Sequence, residues 1–382
     1  MSSSHKPHIL LIHQAFASLD EPGGTRHHEL ARYLVSSGCA VSVIASPVSY
    51  LTGAAAAGKS RWVDKHVDDL GVIIYRAYTY SALHRSFPHR VISFLSFMIS
   101  SFIIGLSIRN VDLVWGTSPP IFQGFTAWAL ARIKRAKFLF EVRDLWPAFA
   151  VAVGVLRNSK LIRATEVLEK FLYSHADQVM VNSPGFIEHV ESKGASQAIL
   201  IPNGVDTTMF DPDADAREIR VNNGWEDKFV VMYAGAHGLS NDLGVVLQVA
   251  NEMRAVEKVV FVFVGDGKEK TNLQIQAEDL SLNNAYFLPS IPKVDMANML
   301  AAADACLAIL KPIKLYATVY PNKVFDYMAA GKPVILAIDG VIREVVEIAG
   351  AGLFVPPGNF LALSEAIQQI MSDRDQAKRM GM

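Results

Sequence analysis

Short apolar runs of strand length recur along the whole chain, each bounded by turn residues. In the first half they are HILLIH (8–13), AVSVIA (40–45), DLVWG (112–116), FLFEV (138–142), QVMVN (178–182) and AILI (198–201). A second series follows with FVVMYAG (229–235), VVFVFVG (259–265), AYFL (285–288), ACLAI (305–309), PVILA (333–337) and GLFV (352–355). The runs are continuous rather than alternating, and rich in Val, Ile and Phe. That suits central strands of parallel sheets covered on both faces. Between them lie segments of helical period. In 241–256, Leu243, Val246, Leu247, Ala250 and Met253 fall on one stripe. The polar stretch 203–227, with its DPDADA run, reads as the connection between halves. The pattern predicts two doubly wound α/β domains, 1–200 and 201–382, facing each other across a cleft. Ligands are then expected at the carboxyl ends of the strands, where glycine loops fall.

Length and composition narrow the function. A chain of 382 residues suits about two domains. With 19% charged residues and a net charge of −1, no nucleic-acid-binding surface is indicated. The two cysteines, Cys39 and Cys306, lie far apart beside or within apolar runs, so buried thiols are expected rather than a disulfide. MSSSHKPHILLIH has no long apolar signal region, which points to a cytosolic face. The stretch 91–108, VISFLSFMISSFIIGLSI, has no charge but five serines and barely reaches membrane-spanning length. A core helix is expected there. An interfacial helix is the alternative, because Arg85, Arg90, Arg132, Lys134, Arg135 and Lys137 cluster nearby and would attract an anionic leaflet.

The candidate chemistry centres on YPNKVFDYMAAGKPVI (320–335), which reads as a loop, a short helix after Pro321, a stop at Gly331 and a strand from Pro333. Lys323 and Asp326, three apart, share a face of that helix's first turn. Unpaired N–H groups and the helix dipole favour an anion there. Lys323 adds a charge for phosphate, and Asp326 can accept two sugar hydroxyls. A phosphorylated, sugar-bearing ligand and a plain helix cap with a solvated ion pair both fit this spacing. Two glycine loops follow strands. Gly23-Gly24 precedes Arg26 and His27, and Gly235-Ala236-His237-Gly238 leads to a helix near Asn241. Both allow backbone N–H groups close to a phosphate, and a plain turn is the alternative reading for the first. At EVRDLWP (141–147), charged residues end an apolar strand and need either a partner or a cleft. Arg143 and Asp144 are therefore either a structural pair or catalytic groups. Asp211-Pro-Asp213 and Asp213-Ala-Asp215 have metal-motif spacing but sit in a Pro/Ala linker and read as solvated acids.

P-N-K-x-F-D-Y-x-A-A-G-K-P-V resembles the donor-site motif of glycosyltransferase family 4, and most closely its WbuB-like bacterial surface-polysaccharide branch. Further similar blocks are PGGTRHHELARYLVSSG, EVRDLWP, IPNGVD, YAGAHG, VGDGKEK and LFVPPGN, in the expected order along nearly the whole chain. The resemblance implies the GT-B fold, with an acceptor-side first domain and a nucleotide-sugar-binding second. It implies metal-independent, retaining transfer from a nucleotide-sugar, UDP-linked in this branch, to a lipid-linked or other saccharide acceptor. The nucleotide-sugar is a substrate, and no cofactor is expected. Arg143, Asp144 and Lys323 are the expected catalytic residues. Gly23, Gly24, Gly235, His237, Gly238, Asn241, Leu288, Lys314, Asn322, Val324 and Asp326, with Lys323, are expected at the donor.

The chain departs from the family at several points. Ala236 and Asn241 stand where an Arg and a Lys are usual, Thr318 replaces the first of two glutamates, and Ala148 follows the Trp-Pro pair. The ending QAKRMGM is expected to precede the family's crossover helix. A nucleotide-sugar epimerase and a non-catalytic nucleotide-sugar-binding paralogue are the alternative readings.

Overall fold

The computed structural model describes residues 6–49, 62–81 and 87–382, and they form two compact units. One comprises residues up to Leu19 and Gly23–Pro202; the other comprises Asp20–Pro22 and Asn203–Met382.

The first unit holds β1 (His8–Ile12), β2 (Ala40–Ala45), β3 (Val63–Val67), β4 (Ile73–Ala77), β5 (Leu113–Ser118), β6 (Lys137–Val142), β7 (Gln178–Val181) and β8 (Ala198–Leu200). They form one sheet in the order β3-β4-β2-β1-β5-β6-β7-β8, parallel except for the antiparallel edge pair β3–β4. β3 and β4 are the strands the apolar runs do not announce. Every residue of β3 is exposed, and VDKHV carries the mixed polarity of an edge strand.

The second unit holds β9 (Phe229–Ala234), β10 (Val259–Val264), β11 (Ala285–Leu288), β12 (Ala305–Ile309), β13 (Val334–Ala337) and β14 (Gly352–Phe354). The order β11-β10-β9-β12-β13-β14, all parallel, is a doubly wound sheet whose direction of winding reverses between β9 and β12. Every residue of β9 and β10 is buried, which explains the unbroken apolar runs. The helix Leu243–Glu252 lays Leu243, Val246, Leu247 and Ala250 against them, with Met253 following in the next turn; all five are at most 1% exposed. Each contributes roughly 1.5–3 kcal/mol by burial where the side chain is large.

All of the apolar stretch 91–108 but its last residue lies within the helix Phe87–Ser107, which packs against β2, β4 and the helix Phe122–Lys134. Its length and composition would allow it to cross a membrane, yet only 33% of its apolar window is buried in the protein. It covers the sheet as the core-helix reading expects, but with one face left outward. Of the basic cluster named with it, Arg85 lies outside the described residues.

Candidate functional site

In the second unit the loops after β9 and β12 flank the point where the winding reverses, the position at which such sheets bind ligands. The helix Asn322–Ala329 begins there, with Pro321 ahead of it. Lys323 points back onto the loop after β9. Its Nζ sits 3.7 Å from the centre of the Tyr233 ring. A Cβ on Gly235 would come within 2.7 Å of that ammonium and displace it, and the φ of +142° itself favours glycine there. Among the described residues Lys323 has no ion pair or hydrogen bond from its side chain; its ammonium lies over the Tyr233 ring and beside Gly235. Burial lowers its pKa to about 7, although Asp326 pulls the other way.

His237 completes the cluster. Its ring is 6.0 Å from Tyr233, wholly buried, and neither ring nitrogen has a hydrogen-bond partner among the described residues. Burial first, then Lys270 and Lys323, push its pKa down to about 4, so the imidazole is neutral and offers one donor and one acceptor. Gly265, with φ +148°, lets the loop after β10 close on the same place: a Cβ there would be 2.0 Å from the carbonyl oxygen of Gly235. Asn241 donates from Nδ2 to the carbonyl of Ala236 at 3.0 Å and so holds the loop rather than adding charge. A Cβ on Gly238 would meet that same amide at 3.4 Å. Asn322, the first helical residue, keeps a buried Oδ1 without a partner among the described residues.

Asp326 is differently placed. Lys293 reaches its Oδ1 at 2.5 Å, and the Lys293 ammonium also stands 5.2 Å from the centre of the Phe210 ring. Lys293 is the residue sequence reasoning missed. The one local signal is a lysine as first residue of its helix, Lys293–Ala301, where the dipole disfavours a cation and so implies a specific partner. Leu288 ends β11, and its carbonyl accepts from Lys270 Nζ at 2.8 Å. Val324 is fully buried in the core. Lys314 is exposed in the short 3-10 turn Lys314–Thr318 and is not brought into the cluster; Tyr316 of that turn donates to Ser240 Oγ at 2.5 Å. The linker acids Asp211, Asp213 and Asp215 are exposed, Asp215 pairing with Arg217.

In the first unit the same topological position, between β1 and β5, holds a buried polar network. Glu141, wholly buried on β6, accepts from His27 Nε2 at 2.6 Å, Trp115 Nε1 at 3.1 Å and Arg26 Nε at 3.2 Å. Burial works against its ionisation, but His27, Arg26 and Arg143 outweigh it and hold the carboxyl at about 2. Burial is also the main influence on His27 and lowers its pKa, so a neutral ring donating from Nε2 to an ionised Glu141 fits both groups. Arg26 continues to the carbonyls of Ile201 at 2.7 Å and Pro202 at 2.8 Å. The helix Arg26–Ser36, which starts just past Gly24, is thereby tied to the ends of β6 and β8. Gly23 is closely packed, since a Cβ would stand 2.8 Å from that of Ala17, whereas Gly24 faces open space.

Arg143 donates to the carbonyl of Pro119 at 2.7 Å. Asp144 has no ion pair or side-chain hydrogen bond among the described residues, so the structural Arg143–Asp144 pair is not formed as a direct contact. Burial pushes the Asp144 carboxyl up to about 6, against the influence of Arg143. An unpaired acid of that kind is a candidate for chemistry. Its native pKa lies above its unfolded one, so ionisation opposes folding as pH rises from about 4 to 6. Asp144→Asn is therefore expected to stabilise the protein by about 1–2 kcal/mol at pH 7.5, with no gain below pH 4. Thermal unfolding of both proteins across that range checks it.

The comparisons agree with this layout. The family model for "Glycosyl transferase 4-like domain" matches residues 23–204, and that for "Glycosyl transferases group 1" matches 215–382. Together they span both units. The chain is a GT-B glycosyltransferase of the family-4 type. This glycosyltransferase is 23% identical over 356 residues to a protein named as the colanic acid biosynthesis glycosyl transferase WcaI of Escherichia coli (strain K12), covering 90% of this chain and 87% of that one. Its fold is that of sucrose-phosphate synthase from Thermosynechococcus elongatus, with a TM-score of 0.76, 21% identity, and 98% and 92% of the two chains covered. HepE of Anabaena, solved with UDP and glucose, matches with a TM-score of 0.70 at 17% identity, covering 98% and 92%.

Proposed function

We propose that this glycosyltransferase moves a sugar from a UDP-linked donor to a hydroxyl of a lipid-linked saccharide. Its role would be in O-antigen, capsule or exopolysaccharide synthesis of the WbuB-like kind, with retention of configuration at the inner face of the membrane. The observation that carries the reading is the Lys323 ammonium, held on an aromatic ring without an anionic contact at a helix N-terminus beside Gly235 and His237. Transfer breaks the bond between the anomeric carbon and the diphosphate oxygen, and negative charge grows on that oxygen. A fixed cation and pre-oriented N–H groups there stabilise the transition state more than the ground state. The relative named for colanic acid biosynthesis supports a surface polysaccharide as product, and HepE's UDP supports the choice of base.

Asp326 is assigned to the ribose hydroxyls, with Lys293 holding its carboxylate in place. Calorimetric titration with UDP and GDP tests this. UDP is expected to bind selectively, and Asp326→Ala is expected to weaken it by about tenfold or more, the loss of a charged hydrogen-bond acceptor. If wild type bound neither nucleotide, the donor-site assignment would fail and a chain whose donor site has decayed would become the better account; binding without transfer would favour the non-catalytic paralogue.

A further inference from the structure

The helix Phe87–Ser107 is built inside out. Four of its five serines face the protein: Ser93, Ser100 and Ser101 are fully buried and Ser96 is partly so, while Ser107 at the end is exposed. Three of the four hydroxyls are satisfied by backbone carbonyls, Ser101 donating to that of Phe97 at 2.5 Å, Ser96 to that of Ser93 at 2.8 Å, and Ser100 to that of Tyr78 at 2.6 Å, while the Ser93 hydroxyl has no partner among the described residues. The outward row is aliphatic. Ile92, Leu95, Ile99, Ile103 and Leu106 are 49%, 44%, 60%, 47% and 44% exposed. Their spacing of three and four residues sets them on one face, about 21 Å long. The packed neighbour Phe122–Lys134 adds exposed Phe125 and Ile133. Neither helix contains an acidic residue. Basic residues bound the face instead: Arg90 near one end, Arg109 past the other, and Arg132, Lys134 and Arg135 at the end of the neighbour. Lys134 reaches back to the carbonyl of Ile108 at 2.5 Å, which places it at the helix C-terminus.

We infer that this face is the membrane-docking surface, lying in the plane of an anionic bilayer with the aliphatic row immersed and the basic rim at the headgroups. An apolar stripe with cationic flanks is the chemistry of an interfacial helix. A second copy of the chain fits less well. Two-fold pairing would set the same basic rim against itself, with no carboxylate in either helix to neutralise it. The inference deepens the lipid-linked acceptor reading and rests on it for its purpose, but its test does not depend on nucleotide binding.

Full-length protein is sedimented with equimolar phosphatidylglycerol–phosphatidylcholine vesicles, with phosphatidylcholine vesicles alone, and without lipid. Wild type is expected in the pellet with the anionic vesicles. The double variant Ile99→Glu, Ile103→Glu is expected to bind them at least about tenfold more weakly while titrating UDP as wild type does, since both positions are exposed. Equal recovery of wild type with and without anionic vesicles overturns the inference, as does undiminished vesicle binding by the double variant. A dimer in sedimentation velocity that the double variant abolishes also overturns it, in favour of self-association.

Discussion

Replacing Lys323 by methionine is expected to cut sugar transfer by about 100- to 1,000-fold, the range seen when one preorganised charge or donor is removed from a developing anion. Methionine keeps the packing against Tyr233, so the loss reports charge rather than a cavity. Burial lowers the Lys323 pKa to about 7, and this fixes a second part of the result. Below that value the ammonium is charged but poorly accommodated; above it the lysine is largely neutral until an anion arrives. The variant is therefore expected to fold at least as stably as wild type at neutral pH while losing turnover. Steady-state rates with a UDP-sugar, together with denaturation midpoints, separate the two effects.

The second large effect is on stability. Glu141→Gln removes the charge that, among the described residues, neutralises the partly buried Arg26, and it weakens the bond from His27. Breaking a buried pair from one side costs about 3–5 kcal/mol, because the remaining charge is left uncompensated. Some of that is relieved here, since Arg26 keeps the carbonyls of Ile201 and Pro202 as acceptors. A loss of about 3 kcal/mol is expected, read as a shift in denaturant midpoint at constant slope. The sign of the pH dependence follows from the carboxyl being held at about 2, below its ordinary value of 4.5. Its contribution is fully present above pH 4.5 and fades as pH falls toward 2. The gap between wild type and variant should close over that window; a constant gap would mean that shape, not charge, is what Glu141 supplies.

The strands were legible because parallel sheets covered on both faces need uninterrupted apolar runs, and β9 and β10 are wholly buried. β3 escaped because all five of its residues face solvent and its pattern is polar. The helix Asn322–Ala329 was legible from its own eight residues, and so was the place of Lys323 at its start. What Lys323 touches was not: Tyr233 lies ninety residues earlier, on β9. Glu141 with Arg26 and His27, and Asp326 with Lys293, are likewise pairings across distant segments, which local periodicity does not encode. The serines at 93–107 were read as weakening an apolar helix. Folding turns Ser93, Ser96, Ser100 and Ser101 inward, where backbone carbonyls accept from the last three, and leaves the aliphatic row outside.

The central claim is that Lys323 receives the donor diphosphate, and proton uptake during UDP binding tests it most directly. At pH 8 a lysine with a pKa near 7 is mostly neutral, and a bound diphosphate restores its proton, so binding should take up about 0.9 proton. UDP is titrated calorimetrically into wild type and Lys323→Met at pH 8, in two buffers of different ionisation enthalpy. Uptake near one proton in wild type and near zero in the variant is the predicted result. Equal uptake in both proteins, or none in wild type with UDP bound, would contradict the account.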